Sequence, residues 1–128
     1  CLLNMEEAAA GATRGGVASV LNEIVKNRPW GAILQERDLP VKEEVMGVCG
    51  LLGIDPLYAA NEGKVVMVAD AAVADEIVRS MRLCDEGKEA CVIGAISPSF
   101  AGKVVVETSI GGRRMLPLLA EEQLPRIC

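Results

Sequence analysis

The stretch that decides the fold is KVVMVADAAVADEIVRSMRLCDEGKEACVIGAIS, residues 64–97. It opens with KVVMVAD, a continuous apolar run that is too hydrophobic for one face to lie in water, so we predict a strand at the centre of a sheet. AAVADEIVRSMRL predicts a helix, DEGKEA a turn and ACVIGAIS a second buried strand. A strand, a helix and a strand in this order predict a domain with helices layered on a sheet.

Two further helices are predicted before this stretch. TRGGVASVLNEIVKNR (13–28) has Thr13 as a candidate N-cap, and LPVKEEVMGVCGLLG (39–53) has Gly53 as a natural C-cap. Apolar residues at helical spacing define the face of each helix that we expect to point into the core. These residues are Val17, Val20, Leu21, Ile24 and Val25 in the first helix, and Val41, Val45, Val48, Leu51 and Leu52 in the second.

The remaining segments complete a mixed sheet. WGAILQE (30–36) predicts a short strand, and IDPLYAANEG (54–63) has the composition of a loop. AGKVVVETSI and GGRRMLPL (101–118) predict a hairpin that turns at Gly111 and Gly112. With about five strands and three helices, we predict an α+β domain over residues 1–117 and an extended tail over residues 118–128.

Composition narrows the class of protein. The 128 residues are 51% hydrophobic, which suffices for one domain with a core. A net charge of -5 and only three aromatic residues argue against nucleic-acid binding. No apolar run is long enough to cross a bilayer and no signal peptide is visible, and since the first residue is Cys1 rather than Met we expect a fragment or a processed product.

The sequence also lacks several kinds of reactive or metal-binding group. Histidine is absent, which removes the usual general base and the commonest metal ligand. The five cysteines include no CxxC pair, so we expect no metal site and a reducing, cytoplasmic setting. Cys49 and Cys91 lie in apolar runs and are predicted to be small core residues.

The first candidate site is ATRGG, which contains Thr13, Arg14, Gly15 and Gly16. Two small residues at the positive end of a helix expose backbone N–H groups, and Arg14 adds a charge beside them, so an anion or a phosphate can bind there. Close packing of the glycines against the sheet is the alternative, and the spacing alone favours it.

Two more candidates are charged. Glu62 lies in a predicted turn just before a buried strand, where it would be a general base if partial burial raised its pKa, or else a solvated loop carboxylate. Arg113 and Arg114 alternate across a strand, so each faces a different side. They suit a phosphate or carboxylate contact, or a solvated edge that prevents aggregation.

The last candidate is Cys128 in the closing stretch LPRIC. Pro125 favours an extended backbone, and an extended segment from Leu118 to Cys128 reaches roughly 35 Å. The thiol can therefore visit a site on its own domain, on a missing domain or on another protein. The alternative is an incidental cysteine at a frayed end.

Four stretches together resemble a known family. ATRGGVASVLNEIV, LPVKEEVMGVCGLLGIDPLYAANEGKVVMV, GGRRMLPL and LPRIC, in this order, are similar to the C-terminal half of the HypE family. Its members are carbamoyl dehydratases of nickel–iron hydrogenase maturation, in the PurM-like superfamily related to aminoimidazole ribonucleotide (AIR) synthetase. The resemblance runs from about Gly11 to Cys128 and implies a fold like the PurM C-terminal domain.

The resemblance also implies a reaction. The Cys128 thiol would receive a carbamoyl group from the carbamoyltransferase HypF, and ATP-dependent dehydration would turn it into a thiocyanate. The cyanide would then pass to iron held by the HypC–HypD complex. Glu62 would help to deprotonate the carbamoyl nitrogen, and residues 13–16 would lie near the domain junction and contact the nucleotide.

Two departures from the family limit what this chain does alone. Family members usually carry Asp where this sequence has Gly11. The N-terminal domain, which would hold most of the site for ATP and Mg²⁺ and form a homodimer, is not in this sequence. We therefore expect the chain to fold as a largely monomeric fragment that neither hydrolyses ATP nor dehydrates anything.

Two other functions remain open at this stage. One is a PurM-like domain of another ATP-dependent amide-activating enzyme, of the purine or selenophosphate pathway, which would tolerate Cys128→Ala. The other is a non-enzymatic interaction module, in which that substitution would weaken binding modestly.

Overall fold

The computed structural model describes residues 2–6, 15–59 and 64–119, and for residues 2–6 it describes the backbone alone. These ranges contain three α-helices: α1 (Gly16–Val25), α2 (Glu43–Leu52) and α3 (Ala71–Met81). They also contain six strands: β1 (Leu2–Glu6), β2 (Gly31–Gln35), β3 (Lys64–Val68), β4 (Cys91–Ser97), β5 (Val104–Glu107) and β6 (Arg113–Met115). None of these helices is long and apolar enough to cross a membrane.

The six strands form one mixed sheet in the order β3-β1-β4-β2-β5-β6. Strands β2 and β5 are parallel, and the other neighbouring strands are antiparallel. Strand β1 lies between β3 and β4, so residues 2–6 belong to the interior of the sheet. The predicted α+β class with a mixed sheet is confirmed.

Helices cover both faces of the sheet. Ile93 on β4 packs in one core cluster with Leu21 and Val25 of α1, whereas the next residue back, Val92, packs with Val78 of α3. Because successive strand residues point to opposite faces, α1 and α3 lie on opposite sides. The larger core is therefore on the α1 side, where Leu57 also packs.

The predicted core face of α1 is largely confirmed. Leu21 and Val25 are fully buried, as is Ala18, and the other predicted positions are half-buried. The helix begins later than predicted, because Gly15 takes the N-cap position with no side-chain cap, and Thr13 lies outside the described residues. It also ends earlier, at Val25, and Asn27 then takes a positive φ of 58°.

The predicted core face of α2 is wrong. None of its ten residues is buried, and Val45, Val48, Leu51 and Leu52 are between 44% and 89% exposed. The periodicity misled because α2 is apolar on every side after its first turn, so its sequence does not mark which face is covered. Gly53 ends the helix as predicted, with a left-handed φ of 66°.

The predicted central position of KVVMVAD is also wrong. Among the described strands, β3 lies at the edge of the sheet and pairs with β1 alone. Its hydrophobicity has another cause, since Val66 packs against the α1-side core and Met67 against the α3-side core. A continuous apolar run thus indicates that both faces of a strand are covered. It does not indicate that the strand pairs with a neighbouring strand at both of its edges.

Among the remaining strands, β2, β4 and the hairpin of β5 and β6 were predicted, and β1 was not. Strand β1 was missed, because five residues reading LLNME show neither alternation nor turn signals. The hairpin is confirmed, with Glu107 opposite Arg113 and Gly111 at a φ of 86° in the connecting turn. Cys49 and Cys91 are only half-buried, although Cys91 packs against the larger core.

Candidate functional site

Gly16, the second of the two glycines that open α1, packs against the segment that leads to Glu62. Gly15 and Gly16 have φ values of 67° and 62°, which L side chains rarely adopt. A Cβ on Gly16 would lie 2.5 Å from the carbonyl oxygens of both Leu57 and Ala59. Gly16 therefore serves close packing against a loop backbone, where the sequence suggested the sheet, whereas a Cβ on Gly15 would meet Ser19 of the same helix.

The loop backbone on which Gly16 packs is a 3₁₀ turn, Pro56–Tyr58. Asp55 caps this turn, because its Oδ1 accepts a hydrogen bond of 3.0 Å from the N–H of Leu57. Leu57 is 4% exposed and belongs to the α1-side core. A capped turn with a buried leucine fixes the point from which residues 60–63 continue.

Arg114 holds this turn from the other side. Its Nη1 donates to Asp55 Oδ2 at 2.6 Å, and both side chains are partly buried. Arg113 instead donates to Glu107 Oε1 at 2.9 Å. The two arginines thus face different partners, as their alternation predicted, and the carboxylates that they contact belong to this chain.

The start of the tail is fastened to the same place. The Tyr58 hydroxyl donates a short hydrogen bond to the carbonyl oxygen of Pro117. Asn22 on α1 donates through Nδ2 to the carbonyl oxygens of Leu116 and Ala18, each at 2.8 Å. Leu116 itself is fully buried, so the tail leaves the domain from a fixed point.

These contacts bring three candidate segments to one junction. Gly16 touches the 57–59 backbone, Glu62 follows Ala59 by three residues, and Tyr58 binds Pro117, eleven residues before Cys128. Thr13, Arg14, Glu62 and Cys128 lie outside the described residues. Covalent geometry limits Glu62 to within about 11 Å of Ala59 and Cys128 to within about 40 Å of Pro117.

Sequence reasoning missed Asn22, Asp55 and Tyr58 as parts of this junction. Asp55 carried a usable signal, because an Asp directly before a Pro is a common start of a capped turn. Asn22 and Tyr58 carried none, since the carbonyl groups of Leu116 and Pro117 that they bind lie 94 and 59 residues away in the chain.

Hydrogen bonds, burial and nearby charges shift the pKa values of Glu36, Tyr58 and Cys91. The backbone N–H and hydroxyl of Ser109 both donate to Glu36, and they lower the pKa of that carboxyl. Burial, followed by the charge of Asp55, raises the pKa of Tyr58, so this residue stays a protonated donor to Pro117 at neutral pH. Burial likewise raises the pKa of the Cys91 thiol, which makes it a poor nucleophile.

No group of three or more Cys, Asp or Glu residues that could hold a metal ion occurs in the part of the chain that the structure describes. What that part does offer is a helix N-terminus without a side-chain cap, at Gly15 and Gly16. Gly15 itself has no side chain that could accept from the first N–H groups of α1, and the positive end of the helix dipole favours an anion.

A helix-covered mixed sheet whose first helix begins with glycines packed on a loop agrees with the PurM-like C-terminal fold that the sequence resemblance implied. The family model for the C-terminal domain of AIR synthase related proteins matches residues 2–107. The chain belongs to this family.

Named relatives are similar along nearly the whole chain. The carbamoyl dehydratase HypE of Rhodobacter capsulatus is 46% identical over 94% of this chain and 36% of its own length. The corresponding protein of Azotobacter vinelandii is 44% identical over 91% of this chain and 34% of its own length. The chain thus spans about a third of the length of these relatives.

Solved structures of similar proteins have the same fold as this chain. The hydrogenase maturation protein HypE superposes with a TM-score of 0.83 at 40% identity, over 93% of this chain and 39% of that one. HypE in complex with ATP gives 0.80 at 36% identity, over 89% and 36%. The HypE–HypF complex gives 0.76 at 42% identity, over 83% and 34%.

Proposed function

We propose that this chain is the C-terminal part of an ATP-dependent carbamoyl dehydratase that works in nickel–iron hydrogenase maturation. The names of the relatives support this assignment. The observation that carries it is the junction at which Gly16 meets Leu57 and Ala59 and Tyr58 holds Pro117. It joins the start of a glycine-rich helix, the approach to a carboxylate and the root of a thiol-bearing segment.

Cys128 is the group that we assign to carry the substrate. A carbamoyl group on its sulfur is a primary amide, S–C(=O)NH₂, attached through a bond that a partner can form and another partner can use. The root at Pro117 is fixed by Tyr58, and the eleven residues that follow give the sulfur a radius of up to about 40 Å. That radius includes the neighbourhood of Ala59, from which Glu62 is three residues away.

Dehydration removes the elements of water from this amide. ATP supplies the phosphoryl group that makes the amide oxygen a leaving group. As the amide oxygen takes the phosphoryl group and ADP leaves, the nitrogen loses its first proton, which gives an O-phosphorylated imidate, S–C(=NH)–OPO₃²⁻. The carboxylate of Glu62 accepts the remaining N–H proton, the carbon–oxygen bond breaks with release of phosphate, and the electrons of that N–H bond complete the C≡N bond. The products are a thiocyanate on Cys128, ADP and phosphate, so no oxidant or reductant is needed.

The start of α1 fits a supporting role toward the nucleotide. Its uncapped N–H groups and the positive end of the helix dipole favour a phosphate, with Thr13 and Arg14 beside Gly15 and Gly16. The complex of a similar protein with ATP supports nucleotide binding by the parent. Most of the site for ATP and Mg²⁺ would belong to the part of the parent outside this chain.

The partners follow from the same reaction. HypF would load the Cys128 thiol, and the HypC–HypD complex would accept the cyanide, with the parent acting as a homodimer in the cytoplasm. The solved HypE–HypF complex supports the first partner. A thiol on a segment that extends from a fixed root suits an exchange between two such partners.

The test is to locate the carbamoyl group. The full-length parent is incubated with its carbamoyltransferase, carbamoyl phosphate and ATP, and peptides are examined by mass spectrometry. We expect the modification on the peptide that contains Cys128, its loss in Cys128→Ser, and its retention in Cys84→Ser, where an exposed cysteine elsewhere is changed. A carbamoyl group that persists in Cys128→Ser would overturn the assignment.

A further inference from the structure

The outer surface of α2 has the composition of a buried helix. From Val45 to Leu52 the sequence is VMGVCGLL, with no charged or amide side chain. A helix that is apolar on all sides is normally covered on all sides. Yet five large side chains are exposed to water: Val45, Met46, Val48, Leu51 and Leu52.

A groove extends this apolar surface toward the candidate site. A cavity of about 320 Å³ lies between α2 and the 3₁₀ turn, with Glu36, Arg37, Asp55 and Arg114 at its charged rim. Its apolar wall is formed by Leu39, Val41, Met46, Pro56 and Leu57. Along the helix, a Cβ on Gly47 or Gly50 would have no atom within 4 Å, so another backbone can approach closely.

We propose that this surface, formed by α2 and the adjoining groove, is covered by the part of the parent polypeptide that lies outside this chain. The chain spans about a third of the length of its relatives, and its family is defined as a C-terminal domain. About two thirds of such a parent must therefore pack somewhere. The α2 surface is a contact within one polypeptide, and it would connect the rest of the parent to the turn that precedes Glu62.

The size of the surface argues against a second copy as the occupant. A ten-residue helix is about 15 Å long and about 10 Å wide, so one side of it offers on the order of 200 Å² to a partner. Stable interfaces between separate proteins bury about 800 Å² on each side. A contact within one chain needs less area, because the connection keeps its two sides at a high effective concentration.

The chemistry of the surface argues against a partner that comes and goes. Proteins that exchange partners spend time with the interface in water, so such interfaces carry a normal share of polar residues. Interfaces that never open resemble a domain core. The stretch VMGVCGLL is of the second kind, which fits a permanent contact inside the parent.

Radical footprinting of the wild-type full-length parent tests this proposal with a matched pair of leucines. Leu51 on α2 is 89% exposed in this chain and Leu83, beyond the end of α3, is 88% exposed. The oxidation rate of each side chain is measured by peptide mass spectrometry and divided by its rate in the urea-unfolded parent. We expect this ratio to be about tenfold smaller for Leu51 than for Leu83, with Met46 protected together with Leu51.

Each other outcome counts against the proposal. A ratio for Leu51 near that of Leu83 means that α2 is open to water in the parent. Protection that disappears on dilution identifies a second copy, and protection that requires added carbamoyltransferase identifies that partner. The measurement involves no carbamoyl chemistry, so its result is independent of the proposed function.

Discussion

A Cβ atom on Gly16 would come within 2.5 Å of the carbonyl oxygen of Leu57. Because Gly16 has no side chain, the start of α1 can pack directly on the backbone of the turn before Glu62. This contact holds the two candidate segments together. Gly16 is therefore a structural requirement of the junction, independently of any anion bound at the start of α1.

Three glycine-to-alanine variants should separate the two causes of this requirement. Gly16→Ala meets both a positive φ and a clash, so we expect a loss of at least about 2 kcal/mol in the free energy of unfolding. Gly53→Ala has the positive φ but open space, and should lose about 1 kcal/mol. Gly50→Ala, inside α2 with open space and no positive φ, should gain roughly 0.5–1 kcal/mol.

Urea denaturation of the three variants, each made in this chain without the rest of the parent, measures these differences. Equal effects of Gly16→Ala and Gly53→Ala would mean that the contact with Leu57 and Ala59 contributes nothing, and that only the backbone angle matters.

The hydrogen bond from Tyr58 to Pro117 gives a second prediction. Tyr58→Phe keeps the ring and removes the hydroxyl, so it should lower the free energy of unfolding by about 0.5–1 kcal/mol, since water can reach the freed carbonyl. In the full-length parent we expect slower dehydration of a carbamoyl group already on Cys128, because the root of its segment is released. Loading by the carbamoyltransferase should keep its wild-type rate, and an equal slowing of both steps would contradict the role given to this bond.

The two neighbouring arginines should differ in their contribution to stability. Arg114 binds Asp55 at 2.6 Å in a partly buried setting, and Asp55 also caps the turn, so Arg114→Met should cost about 1 kcal/mol. Arg113→Met removes a more exposed partner, and its effect should be smaller and more readily suppressed by salt. Denaturation at low and high salt measures both, and a larger loss for Arg113→Met would contradict this reading of the pair.

Acid stability should depend on Glu36. The Ser109 backbone N–H, and then its hydroxyl, lower the pKa of Glu36 in the folded protein from an ordinary value of 4.5. A carboxyl with a lowered folded pKa adds stability above its unfolded pKa, and this stability is lost as the pH falls through the folded value. Stability should therefore decline below about pH 4.5, and Glu36→Gln should flatten that decline.

Ser109→Ala is the graded control, because it removes the hydroxyl bond and keeps the backbone bond to Glu36. It should flatten the decline less than Glu36→Gln does. A pH profile that neither variant changes would show that other carboxyls determine acid stability.

The sequence predicted local elements well and long-range placement poorly. Helical spacing located α1 and α3, and the paired glycines located the hairpin, because these signals lie within a few residues of one another. The edge position of β3 depends on pairing with β1, a strand with no pattern of its own. The exposure of α2 depends on what packs against it, which its uniformly apolar sequence does not encode.

The candidate site shows the same difference between local features, which the sequence predicted, and long-range contacts, which it did not. The TRGG, NEGK and LPRIC motifs indicated the residues that could act, whereas the contacts of Gly16 and Tyr58 with distant segments became visible only in the fold. Gly16 contacts a turn some forty residues later, and Tyr58 binds Pro117 fifty-nine residues along the chain. Pairings over such separations leave no trace in the periodicity of a single sequence.

The most direct test of the central claim follows one chemical conversion. The full-length parent is carbamoylated on Cys128, freed of its transferase and given ATP, and the Cys128 peptide is followed by mass spectrometry. The account predicts conversion to the thiocyanate in the wild type and in Glu76→Gln, an exposed carboxylate on α3 changed as a control, and no conversion in Glu62→Gln. Thiocyanate formation at the wild-type rate in Glu62→Gln, or none in the wild type, would contradict it.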